Sequence, residues 1–137
     1  MKISILHLSD IHIKGTTEEE FLEKIVPNLT NLTSYHASSS DVIFIAITGD
    51  IAFSGKEHEY LIASRFIEKL KNDINADTKK PVEIIIVPGN HDCNFSNANQ
   101  ARSILLQFLT SNSNSSLENE TINQIASIQD EYFKFEK

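Results

Sequence analysis

The chain has 137 residues, enough for one domain with its own core, and its 40% hydrophobic and 23% charged residues exclude a disordered or fibrous chain. A formal net charge of −7 argues against a general nucleic-acid-binding surface, which would be basic, though not against a phosphate substrate met by bound cations. The single cysteine, Cys93, rules out an internal disulfide, and no apolar run approaches the ~20 residues that span a bilayer.

The N-terminus, Met1-Lys2-Ile3-Ser4-Ile5, leads straight into a strand-like segment without the pattern of a signal peptide, so a cytoplasmic location is expected. Residues 3–8 read as a first strand. A helix is expected over residues 17–35, opened by a capping box of Thr17 and Glu20, with Leu22, Ile25, Leu29 and Leu32 on one stripe. Pro27 inside that stripe has no N–H to donate and should kink or split the helix.

Residues 42–47 (VIFIAI) are apolar on both faces, the pattern of a parallel strand buried between helix layers. Residues 57–74 form an amphipathic helix, with Ala63, Phe66, Ile67, Leu70 and Ile74 on one side. Residues 82–87 (VEIIIV) are a third, β-branched strand. Ala101, Ile104, Leu105, Phe108 and Leu109 mark a further helix, SNSNSS at 111–116 a connection, and Ile125, Ile128, Tyr132 and Phe135 a last helix. The expected order is β-α-β-α-β-α-α, an α/β arrangement with parallel strands. One domain is expected over 1–137, with a motif-bearing β/α core at 1–110 and a helical tail at 117–137.

Each strand ends in a polar cluster. The first gives Ser9-Asp10-Ile11-His12, the second Thr48-Gly49-Asp50, the third Pro88-Gly89-Asn90-His91-Asp92. Parallel strands bring all three to the carboxyl edge of one sheet, where open α/β sheets bind ligands. Taken singly, Asp and Asn after a strand are common turn residues. Together, carboxylate, imidazole and amide oxygen suit divalent cations such as Mn, Fe or Zn, with Ca and Mg less favoured by the histidine. On an extended segment Asp10 and His12 point to the same side and grip one ion. Asp50 has two oxygens to bridge two ions, and Asn90 offers an oxygen to the second.

Asp10-x-His12, Gly49-Asp50 and Gly89-Asn90-His91-Asp92 resemble the first three signature blocks of calcineurin-like metallophosphoesterases, in the same order. The resemblance implies the N-terminal part of a four-layer αββα sandwich and a dinuclear metal site. It implies Asp10 and His12 on the first ion, Asp50 bridging, and Asn90 on the second. His91 would contact the phosphate or protonate the leaving oxygen, with Asp92 orienting its ring. A metal-held water would attack a phosphodiester or phosphomonoester, whether nucleotide, nucleic acid or another phosphorylated molecule. The family pattern continues with another histidine and a Gly-His-x-His block, and no histidine follows His91 here. The alternatives are a fragment of a longer enzyme, which acts with the rest of its chain or only with a complementing chain; a naturally short protein that binds metal weakly or not at all; or a non-catalytic binding module on the same fold, with self-association invited by an exposed sheet edge. No membrane partner is expected.

His7, His36 and His58 are expected to be hydrogen-bonded, capping or solvated rather than ligands. Cys93 is expected to be an inert thiol, and Tyr60 to pack near the site in a structural role.

Overall fold

Strands β1 (Ile3–Leu8), β2 (Val42–Thr48) and β3 (Val82–Val87) pair in parallel, with β2 central. The register sets Leu6 against Ile45 and Ile45 against Ile84. These relations come from a computed structural model, which describes residues 1–15, 18–98, 100–111 and 118–137. Parallel pairing puts the three strand ends at one edge, as the polar clusters predict.

Between β1 and β2 the chain forms α1 (Glu18–Glu20), a π-helical turn (Phe21–Ile25) and α2 (Val26–His36). Pro27 sits in the first turn of α2, where a missing N–H costs nothing. The wide turn before it takes up the break that a proline forces on a helix. The disturbance expected at Pro27 takes the form of a π-helical turn within a helical run that stays right-handed through Ile25 and Val26. Thr17, the proposed cap, lies outside the described residues.

Helix α3 (Glu57–Thr78) joins β2 to β3 and runs four residues past the expected end at Ile74, closing at Lys79 in the left-handed conformation. Its Phe66, Leu70 and Ile74 are fully or almost fully buried against Ile43, Ile45 and Ile47 of β2. Leu6, Leu8, Ile84 and Ile86 of the edge strands pack against the same core. Helices α4 (Gln100–Ser111), α5 (Asn119–Ala126) and α6 (Asp130–Phe135) follow β3. Tyr132 and Phe135 of α6 close on Tyr60 of α3, with the Tyr60 and Phe135 rings stacked at 5.1 Å.

One expectation for β2 is corrected. Helices cover one face of the sheet, but no described residue seals the other. Ile3 and Ile5 of β1 and Ile85 and Val87 of β3 lie exposed there, Ile5 at 66% and Ile85 at 53%. The pattern VIFIAI reports two apolar faces; it does not say that both are covered.

Candidate metal centre

The loops after β1 and β2 lie side by side. Backbone N–H groups of Asp10, His12 and Ile13 donate to the carbonyls of Gly49, Asp50 and Ile51 at 3.3, 2.9 and 2.8 Å. Ile13, Ile51 and Ala52 are fully buried beneath them. The alternation Asp-Ile-His-Ile thus fixes the loop: the isoleucines anchor it in the core and the polar residues rim the sheet edge.

Asp10, His12 and Asp50 have φ of +54°, +50° and +52°; the other described non-glycine residue with positive φ is Lys79. Left-handed backbone is unfavourable for most side chains and gathers at functional sites. The segment is therefore not extended, and the premise that spacing alone aligns Asp10 with His12 is corrected: the bonds to residues 49–51 aim them.

His12, Asp50 and His91 each offer a ligand atom within 4.8 Å of the others. The His12 and His91 rings meet edge to face at 4.5 Å. His12 Nδ1 is buried without a hydrogen-bond partner, an unsatisfied atom that a cation would satisfy. Asp50 Oδ1 accepts the His91 N–H at 2.9 Å. The donor set of imidazole and carboxylate suits a borderline divalent ion, so these residues fit a metal. Asp10 lies outside the group; its exposed carboxylate accepts a hydrogen bond from the Ser9 hydroxyl. Asn90 is exposed and lines a cavity beside His91.

Gly89 lies against Asp50 so closely that a Cβ there would meet Oδ1 at 2.1 Å and the backbone nitrogen at 2.5 Å. Only glycine leaves room for the carboxylate to sit beside the end of β3.

The role expected for Asp92 is also corrected. It does not orient the His91 ring, because His91 Nδ1 lies 2.8 Å from the Phe53 carbonyl. A carbonyl only accepts, so Nδ1 carries the proton and Nε2 is left for the site. Asp92 is fully buried and accepts from Ile51 N–H at 3.2 Å, Ala52 N–H at 2.9 Å, Gly89 N–H at 2.8 Å and the Tyr60 hydroxyl at 3.0 Å. It ties the loop after β2 to the loop after β3. Glu59, likewise buried, accepts from the N–H groups of Ser54 and Lys56 and so holds the start of α3.

Sequence reasoning missed the Phe53 carbonyl, a backbone atom with no residue signal. It placed Tyr60 near the site in a structural role, which its bond to Asp92 bears out. His7 Nε2 lies 2.6 Å from Thr48 Oγ1, the hydrogen-bonded state expected of it.

Burial, reinforced by Asp92, pushes the Tyr60 phenol far above the usual tyrosine range, and burial raises Tyr132 too. The unfolded tyrosine ionises near pH ~10 while the folded one keeps its proton, so this contribution is complete below ~10 and declines above it. Thermal unfolding at pH 8 and pH 11 should show that decline. In Tyr60→Phe the pH 8 stability should drop by ~1–2 kcal/mol and the alkaline decline should shrink, with Tyr132 leaving a residue. Equal declines in both proteins would remove Tyr60 as the cause.

A sequence model described as calcineurin-like phosphoesterase matches residues 3–136, nearly the whole chain. The chain belongs to the calcineurin-like phosphoesterase family. Within this family frame the His12–Asp50–His91 group is a place where a metal ion could be held. A curated relative, "Uncharacterized protein R555" of Acanthamoeba polyphaga mimivirus, is 34% identical over 99 residues, which are 70% of this chain and 7% of that protein. The chain thus corresponds to a small part of the relative's length. No solved structure matches significantly. No helix among the described residues is long and apolar enough to cross a membrane.

Proposed function

We propose that the chain carries half or more of a dinuclear phosphoesterase centre, with Asp10 and His12 on one ion, Asp50 between two, and Asn90 on the second. The observation that supports this reading is the approach of His12 and Asp50, both on strained backbone, at the carboxyl edge of the sheet, with His91 beside them. Mn, Fe or Zn suits these donors. Such ions, when bound, supply the nucleophilic water and the charge that stabilises attacking and leaving oxygens. The rest falls to the chain. The Gly89 gap seats Asp50, and the Phe53 carbonyl turns His91 so that Nε2 faces the site. A proton on Nε2 would there be donated to a phosphoryl or leaving oxygen. Phosphodiesters and phosphomonoesters both fit this chemistry. A cytoplasmic setting suits the free thiol of Cys93.

The test is hydrolysis of bis(p-nitrophenyl) phosphate and p-nitrophenyl phosphate with Mn²⁺, paired with calorimetric Mn²⁺ binding. Loss of an outer-sphere partner already costs ~10–100-fold in metal affinity, so Asp50→Ala should lose at least ~100-fold. His91→Ala should keep Mn²⁺ and lose ~100-fold or more in turnover. If His91→Ala loses the metal instead, His91 is a ligand. Mn²⁺ bound tightly both by this chain and by its full reading frame, with neither ester turned over by either, would favour the non-catalytic binding module.

A further inference from the structure

A cavity of about 360 Å³ opens directly beside the metal centre, with His91 and Asn90 in its wall. That volume is at the small end of ligand pockets, which run ~300–1,000 Å³, so it suits one compact group rather than a polymer. Two phenylalanines line it, Phe53 and Phe95, and both are exposed, at 43% and 62%.

Phe53 is held in place. Its ring lies 5.9 Å from the His91 ring and 6.2 Å from the His12 ring, and Lys14 Nζ sits 4.2 Å from its centroid. Phe95 opens a short 3₁₀ turn, Phe95–Asn97, and the residue before it is fixed by the Asn94 N–H donating to the Ile128 carbonyl at 2.6 Å. The wall therefore brings together two aromatic residues, an amide residue, Asn90, and a basic one, Lys56. Aromatic faces stack flat rings, amides hydrogen-bond ring edges, and an ammonium attracts phosphate.

We propose that this cavity seats the base of a nucleoside phosphoester, so that the centre acts on nucleotides in preference to sugar phosphates or phosphorylated side chains. The inference rests on the phosphoesterase reading above and adds the identity of the group next to the phosphorus. Phe95 is a specificity-determining residue: it contacts the base and leaves the phosphate to the ions and His91.

The test is calorimetric binding of three probes to the Mn²⁺-loaded protein: AMP, ribose 5-phosphate and inorganic phosphate. Stacking on an aromatic side chain predicts that AMP binds roughly 10-fold or more tighter than ribose 5-phosphate. Phe95→Ala should remove most of that advantage and leave ribose 5-phosphate and phosphate unchanged, while Phe95→Tyr should retain it. Phe95 is exposed, so its truncation leaves the core intact, and unaltered Mn²⁺ binding reports the fold. Equal affinity for AMP and ribose 5-phosphate would overturn the proposal and leave the phosphoesterase reading standing. An AMP advantage that survives Phe95→Ala would overturn it too. If none of the three probes binds the loaded protein, both readings fall together.

Discussion

Replacing Asp92 should unfold much of the protein's margin of stability while touching no atom of the proposed reaction. The carboxylate is fully buried and accepts four hydrogen bonds, two on each oxygen. Asp92→Ala leaves the N–H groups of Ile51, Ala52 and Gly89 without an acceptor. Each such orphan costs ~1–3 kcal/mol, so the total loss should reach at least ~3 kcal/mol against an ordinary stability of ~5–15 kcal/mol. Asp92→Asn is isosteric but does little better. Its NH₂ must face either the N–H pair on one oxygen or the Ala52 N–H and Tyr60 hydroxyl on the other, and a backbone N–H cannot turn away. Urea unfolding checks this: both variants should shift the midpoint down strongly. An unfolding free energy within ~0.5 kcal/mol of the parent for Asp92→Asn would show that the two loops are held together by something else.

Gly89→Ala should act the other way round, sparing much of the stability and destroying the site. The added methyl meets Asp50 at its carboxylate and at its backbone nitrogen. A side chain can rotate, but the nitrogen belongs to the loop that is bonded to the residues after β1, so Asp50 must move. Overpacking of this kind costs ~1–3 kcal/mol. Displacing a positioned group by about 1 Å costs ~100-fold in function. Mn²⁺ affinity should therefore fall by ~100-fold, measured under conditions where circular dichroism shows the chain folded. Parent-like Mn²⁺ affinity in Gly89→Ala would mean that Asp50 is not the ligand that Gly89 makes room for.

Much of this was visible in residue order. Apolar β-branched runs announce β2 and β3, and alternation with helical stripes implies parallel pairing, which the register bears out. The position of Pro27 announces the disturbance before α2. The strand-end clusters point to the sheet edge where His12, Asp50 and His91 meet. Other features were hidden for physical reasons. Periodicity reports which side chains are apolar, not whether anything packs on them, so the bare sheet face was read as covered. A two-residue spacing aligns side chains only on extended backbone, and the φ values of Asp10 and His12 are not extended. The partner of His91 Nδ1 is a main-chain carbonyl, and every residue has one. Asp92 was given to its neighbour in sequence, whereas burial gives it to donors some 40 residues away and to the N–H of Gly89.

The left-handed backbone at positions 10, 12 and 50 restricts which amino acids these sites tolerate. Two filters act at once. A metal held as proposed would demand a side-chain donor, which admits Asp, Glu, His, Cys and Asn. The backbone demands a residue at ease with φ near +50°, and outside glycine these are chiefly Asn, Asp and His. The overlap is a three-letter alphabet, and Asp, His and Asp are drawn from it. Glutamate and cysteine bind metals well elsewhere, yet the left-handed backbone disfavours them here before coordination chemistry is consulted.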